Sequence, residues 1–238
     1  REIFLAPDGQ PFVVAGSGTL AMDMAAANLI EPGDRALVAN SGFFGDRMGA
    51  ILERYGAHVT HVRAAVGGAP DPVEVDAVLS GGHFKLVNIT QVDTSTGVLA
   101  DVQALAAAAH AHGALAVVDG VCSVAGEALP MGDWDVDLAF TASQKAISVP
   151  PGLALAVARP AALAAFKARK TPVSSYYPDW TNWLPIMEAY EARKPSYFGP
   201  PAVNLVWWLS VSLGQIRGEG LDARVARHVK LGRACQAG

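Results

Sequence analysis

Cysteine is nearly absent from this sequence: Cys122 and Cys235 are its only two in 238 residues. They lie too far apart for a metal motif and are too few for a disulfide framework, a usage that fits a reducing, cytoplasmic setting. Charge is sparse as well. Only 17% of residues are charged, and 18 Lys and Arg against 22 Asp and Glu leave a net charge of −4. With no basic run anywhere, the electrostatic footprint of a nucleic-acid surface is missing. Long apolar runs are also lacking. The densest, Ala202 to Leu213, is interrupted by Asn204, Ser210 and Ser212 and falls short of the roughly 18 uninterrupted residues that a membrane helix needs. No signal-peptide pattern opens the chain. The histidines, His58, His61, His83, His110, His112 and His228, have no Cys or carboxylate partners at metal-ligand spacing, so no metal site is expected.

Apolar residues, by contrast, make up 51% of the chain. That excludes a disordered chain and is enough for a sizeable core in one large domain or two small ones. The sequence opens at Arg1 and stops in a basic, helix-like stretch around Arg224 to Arg233, which reads as a fragment of a longer protein.

Short apolar runs alternate with longer helical patterns. Strands are expected at Phe12–Ala15, Ala36–Ala39, Val59–Arg63, Leu86–Thr90, Leu115–Asp119, Leu138–Thr141 and Leu153–Ala158. After Ala36 these runs are short and aliphatic or β-branched, as strands buried on both faces should be. Helices are expected at Thr19–Ile30, Asp46–Tyr55, Pro72–Leu79, Val102–His112 and Ala161–Arg169. Such alternation predicts an α/β fold: an open, mostly parallel sheet of seven strands with helices on both faces. Sheets of that kind bind ligands at the carboxyl ends of their strands. The pattern then changes. Residues 171–201 hold Tyr176, Tyr177, Trp180, Trp183, Tyr190 and Tyr197 among six prolines, and read as an irregular linker or interface loop. From Ala202 the pattern is helical again, with Gly214 and Gly218 marking a break before Leu221, and Trp207-Trp208 read as helix packing or interface.

Three features at strand ends carry chemistry. Gly16-Ser17-Gly18-Thr19 joins a strand to a helix, where free N–H groups, the helix dipole and two hydroxyls suit a phosphate. A plain tight turn with a Thr cap explains it equally well in isolation. A dinucleotide fingerprint fits poorly, because Ala39-Asn40 stands where its acidic residue belongs. Asp119 ends the strand Leu115–Asp119. A carboxylate there costs desolvation unless it meets a cation or donors, although it also suits a turn cap. Lys145 follows the strand Leu138–Thr141. It fits a Schiff-base amine, and alone it fits a solvated surface lysine too. Cys122 reads as a small packing residue. All three features are expected on one edge of one sheet, and together they are what pyridoxal 5'-phosphate requires: an amine, a partner for the ring nitrogen and a phosphate cradle.

The residues now become recognisable. Gly16-Ser17-Gly18-Thr19, Asn40-Ser41-Gly42-Phe43-Phe44-Gly45-Asp46-Arg47, Asp93-Thr94-Ser95-Thr96-Gly97-Val98, Val118-Asp119 and Ser143-Gln144-Lys145 followed by Pro150-Pro151-Gly152 stand in order along the chain. With them the chain resembles the class V aminotransferases of fold type I, most closely the alanine–glyoxylate / serine–pyruvate group. The resemblance implies that residues 1–238 form the large, cofactor-binding domain, with a small C-terminal domain beyond them. It implies that Lys145 carries the Schiff base and shuttles the proton, that Asp119 pairs with the ring nitrogen, and that Thr94 sits near the phenolic oxygen. Ser17, Gly18, Thr19 and Gln144 would hold the phosphate, and Phe44 would stack on the ring where relatives commonly have Trp. Tyr197 matches a tyrosine that crosses a homodimer interface to the partner's phosphate. Pro200 stands where the family often has a phosphate-binding Thr. The implied reaction moves an amino group from a small L-amino acid, alanine or serine, to glyoxylate or pyruvate by a ping-pong mechanism. Three rivals remain: a cysteine desulfurase-like lyase, which would place a His where Phe44 stands, a nicotinamide-dependent oxidoreductase, which leaves Lys145 unexplained, and a non-catalytic binding homologue.

Overall fold

The structure is a computed structural model and describes all of residues 1–238. All seven expected strands form: β1 (Gln10–Ala15), β2 (Arg35–Asn40), β3 (His58–Arg63), β4 (Leu86–Thr90), β5 (Leu115–Asp119), β6 (Leu138–Ala142) and β7 (Leu153–Ala158). They make one sheet in the order β1-β7-β6-β5-β4-β2-β3. β7 runs antiparallel to both of its neighbours, while every other pairing is parallel. The carboxyl ends of β1, β2, β4, β5 and β6 therefore share one edge. The central runs carry no polar alternation because both of their faces are covered: every residue of β4, β6 and β7 is buried. Pro11 is accommodated because β1 is an edge strand.

Helices α1 (Gly18–Leu29), α2 (Phe43–Arg54), α5 (Pro160–Lys167) and α6 (Trp180–Glu191) cover one face. On the other lie α3 (Pro72–Leu79), α4 (Val102–Ala111) and α7 (Val203–Glu219), followed by α8 (Leu221–Ala237). Two apolar cores result, one on each side of the sheet. Each fully buried Leu, Ile or Phe in them contributes roughly 1.5–3 kcal/mol. No helix is long and apolar enough to cross a membrane.

The structure corrects two expectations. Residues 171–201 are not irregular throughout, for Trp180–Glu191 is a helix with Trp180, Trp183, Ile186 and Met187 buried. Its start is fixed from two sides. Asp179 Oδ1 accepts from the Thr181 N–H at 2.7 Å, and the buried Asn28 of α1 accepts from the Trp180 N–H at 2.8 Å while donating to the Pro178 carbonyl. Trp180 then stacks on Phe12 with ring centroids 5.0 Å apart, and this packing holds the helix despite Pro185 inside it. The second concerns the break before Leu221, which forms but at another glycine: α7 runs through Gly214 and Gly218 and stops at Gly220, where φ is 82°. That left-handed conformation favours glycine and stops the helix there.

Candidate active site

Five loops leave the shared edge, and backbone bonds tie them together. After β1, the Gly16 N–H donates to the Gly152 carbonyl at 2.8 Å, which sets the phosphate-type turn beside the start of β7. Gly18 is buried so closely under the β5 and β6 loops that a Cβ there would lie 3.1 Å from Val121 and 3.3 Å from Ala142. Ser17 is the N-cap of α1 but caps nothing with its side chain. Thr19 is exposed, and its hydroxyl accepts from Arg47 Nη1 at 3.1 Å.

Asp119 closes β5 and is 3% exposed. Oδ1 accepts from the Val121 N–H at 3.0 Å, and the other carboxylate oxygen has no protein donor. Burial pushes this carboxyl up to about 7; the nearby Asp93 charge adds to the rise, while the Val121 N–H and Arg47 oppose it.

Lys145 sits in the turn after β6. Ser143 Oγ donates to the Pro150 carbonyl at 2.8 Å, and the Val149 N–H closes the turn onto the Ser143 carbonyl at 2.9 Å. From behind, Arg224 of α8 donates to the Ala146 and Ala125 carbonyls at 2.5 and 2.8 Å, and Ser212 of α7 donates to the Ile147 carbonyl. The lysine itself is half-buried, and its ammonium makes no hydrogen bond or ion pair. Neither does the exposed side-chain amide of Gln144 hydrogen-bond to the protein.

The loops after β2 and β4 are joined by Asp93, which is fully buried. Its Oδ2 accepts from the Phe44 N–H at 2.8 Å, and its Oδ1 accepts from the Ser95 N–H at 2.8 Å and the Ser95 hydroxyl at 2.6 Å. A carboxylate from another loop thus caps α2 and starts it at Phe43, earlier than the expected Asp46. The loops meet closely at Gly42, where a Cβ would fall 2.5 Å from Ser95 Oγ and 2.7 Å from Asp93. Phe44 is half-buried here beside Arg47, and Thr94 Oγ1 lies 2.8 Å from Cys122 Sγ.

The structure thus brings Ser17, Gly18, Thr19, Phe44, Thr94, Asp119, Gln144 and Lys145 to loops on one sheet edge. Tyr197 is not joined to them. It is 71% exposed on the loop before α7 and hydrogen-bonds to none of them. Sequence reasoning gave no role to Asp93, Arg47 or Arg224. Their partners lie on other elements, and the one local signal was a carboxylate soon after a strand end, at Asp93. Cys122 was expected to be packing, but it is half-buried and stands against Thr94.

A family model described as Aminotransferase class-V matches residues 1–175. The chain is 41% identical over 231 residues to alanine–glyoxylate aminotransferase 1 of Saccharomyces cerevisiae, covering 94% of this chain and 60% of that protein. It is 32% identical over 241 residues to serine–glyoxylate aminotransferase of Arabidopsis thaliana, covering 98% and 58% respectively. Among solved structures, an alanine–glyoxylate aminotransferase from Nostoc sp. superposes with a TM-score of 0.89 at 28% identity, over 96% of this chain and 59% of that one. The chain therefore spans about 60% of the length of the curated relatives it matches.

Proposed function

The chain belongs to the class-V aminotransferase family, and from that premise we propose that its 238 residues are the cofactor-binding large domain of a pyridoxal 5'-phosphate-dependent aminotransferase. The reaction moves an amino group from alanine or serine to glyoxylate or pyruvate, in ping-pong order. The observation that carries this reading is Asp119, a buried carboxylate with one oxygen left without a donor, on the same edge as an unpaired Lys145 ammonium.

These residues fit the cofactor. Asp119, which lacks a second partner, would hold the ring nitrogen and keep it protonated. Ser17, Thr19 and Gln144 have donors to spend on a phosphate, and Phe44 offers an aromatic face to the ring. When bound, the group supplies an electron sink for the charge left on the substrate α-carbon. Lys145 Nζ would take the proton from that carbon and deliver it to the cofactor carbon that carried the aldehyde, which is the proton shift that amino transfer requires. Thr94 would offer its hydroxyl to the phenolic oxygen of the group. Arg224 and Ser212 keep the Lys145 turn from shifting as its amine engages and releases.

The partner surface is read from α7. Val203, Val206, Trp207, Trp208 and Val211 are all at least 40% exposed there, and an apolar groove of about 650 Å³ runs beside them between β1, α6 and α7. These features support a homodimer in which Tyr197 reaches the partner's site. The scarcity of cysteine supports a cytoplasmic setting.

Borohydride reduction of the full-length protein with cofactor, followed by peptide mass mapping, should place the adduct on Lys145. Alanine with glyoxylate should then yield pyruvate and glycine. An adduct elsewhere sinks the site assignment. Sulfur release from cysteine without amino transfer moves the protein to the desulfurase-like reading. Sedimentation of the full-length protein as a monomer at working dilution removes the shared site.

A further inference from the structure

Arg47 is set apart from the other arginines near the site. Arg63 holds Asp46, and Arg224 and Arg227 hold Glu219. Arg47 is half-buried at the active edge and forms no ion pair. Its neighbour on α2, Asp46, is occupied by Arg63 and Asn40 instead. The guanidinium lies 4.8 Å from the centre of the Phe44 ring and 5.0 Å from that of Phe43, and its only hydrogen bond goes to the Thr19 hydroxyl at 3.1 Å. Two aromatic rings and a neutral oxygen fix its position without neutralising it.

That placement has a consequence for charge. On the reading above, the phosphate cradle is Ser17, Gly18, Thr19 and Gln144, none of which carries charge. A phosphate monoester brings close to two negative charges near neutral pH. Guanidinium groups recognise such oxygens with paired, charge-assisted hydrogen bonds. Arg47 also orients its neighbour. A hydroxyl has one proton to donate, and while Arg47 fills an acceptor site on Thr19 Oγ1, that proton is free to point at an anion. We infer that Arg47 is the cationic residue of the cofactor-phosphate subsite, acting directly on the phosphate and through the Thr19 hydroxyl.

This inference rests on the cofactor reading, and binding measurements on the full-length apoprotein separate the two. Equilibrium titrations followed by tryptophan fluorescence compare pyridoxal 5'-phosphate with pyridoxal, which has the same ring and no phosphate. Arg47→Gln should weaken the phosphate-bearing form at least tenfold and change pyridoxal less than twofold. Arg47→Lys, which keeps the charge on a gentler change, should lose less, and again only with the phosphate-bearing form. Inorganic phosphate should raise the melting temperature of the parent apoprotein and not that of Arg47→Gln. Unchanged affinity for the phosphate-bearing form overturns the inference, and a raised KM for the amino donor beside it reassigns Arg47 to the substrate carboxylate. Equal losses for both ligands also overturn it and leave Arg47 as a support for Phe44. If the parent binds neither ligand, the cofactor reading itself has failed, and this inference falls with it.

Discussion

Asp119 and Asp137 are both buried aspartates flanking the central strands, at 3% and 1% exposure, but they stand on opposite edges of the sheet. Burial pushes both carboxyls above their ordinary range. What differs is how far the protein completes them. Asp137 Oδ2 accepts from the Ala116 N–H at 2.8 Å and pairs with His110 Nε2 at 2.9 Å. Outside it, Arg159 binds Asp135 at 2.8 Å and Asp8 at 3.2 Å. Asp119 receives one backbone N–H and nothing else. A buried carboxylate without partners is costly to keep. One edge therefore spends its buried charge on holding strands together, while the other leaves one oxygen of a buried carboxyl without a donor.

The comparison breaks most visibly in turnover. Asp119→Asn in the full-length enzyme should lower kcat by at least ~100-fold, equivalent to ~2.7 kcal/mol, because an amide cannot hold the ring nitrogen protonated. Above pH 7, where this carboxyl is ionised, the melting temperature of its apoprotein should not fall, since the substitution removes an unpaired buried charge. Near-normal turnover would refute the role given to Asp119. Asp137→Ala should show the reverse. It strands the Ala116 N–H, so unfolding in denaturant should lose about 1–3 kcal/mol, with the affinity for cofactor nearly unchanged. If Asp137→Ala were as stable as the parent while Asp119→Asn unfolded, the two edges would have been read the wrong way round.

The acid side of the pH profile sharpens the same contrast. With its folded-state value near 7 and an unfolded value of about 3.9, Asp119 keeps its proton in the folded apoprotein where the unfolded chain has released it. The contribution to stability is therefore fully present below about pH 4 and is lost as pH rises toward 7. Asp119→Asn lacks this slope. Its stability relative to the parent should climb between those limits and level off above them, as denaturation midpoints across the window would show. Parallel profiles would mean that Asp119 ionises normally in the apoprotein. Cofactor should flatten the parent's slope, since a cationic ring nitrogen stabilises the carboxylate.

Much of this was legible in the sequence, for reasons that differ by element. β4, β5 and β7 are runs such as Leu-Val-Asn-Ile-Thr, too apolar for an exposed strand and too short for a helix, and Asp119 and Lys145 stand at the ends of such runs. α6 was hidden because prolines and aromatics resemble an interface loop until Phe12 and Asn28 are placed beside Trp180. The helix from Ala202 was legible, but not which glycine would end it: Gly214 and Gly218 keep negative φ inside α7, and only Gly220 turns to φ 82°. Asp93 and Arg47 were beyond local reasoning. Asp93 reaches across to Phe44 on the loop after β2, and Arg47 to Thr19 at the start of α1, and no spacing along the chain announces either contact.

The smallest expected effect lies at Cys122, where an expectation of packing met a contact with Thr94. The 2.8 Å approach of Sγ to Thr94 Oγ1 gives that hydroxyl a weak partner. Thr94 is exposed, so water can replace a lost thiol. Cys122→Ala should therefore shift cofactor affinity by no more than ~threefold, about 0.6 kcal/mol, and leave amino transfer within the same factor. Position gives a second readout. Cys122 is half-buried among the active loops and Cys235 is exposed on α8, so cofactor should slow alkylation of Cys122 and leave Cys235 unchanged. Equal labelling rates with and without cofactor would place Cys122 outside the occupied site. Loss of transfer in Cys122→Ala would be more consequential, because it would bring a thiol into the chemistry and revive the sulfur-handling alternative at the edge that Asp119 leaves open.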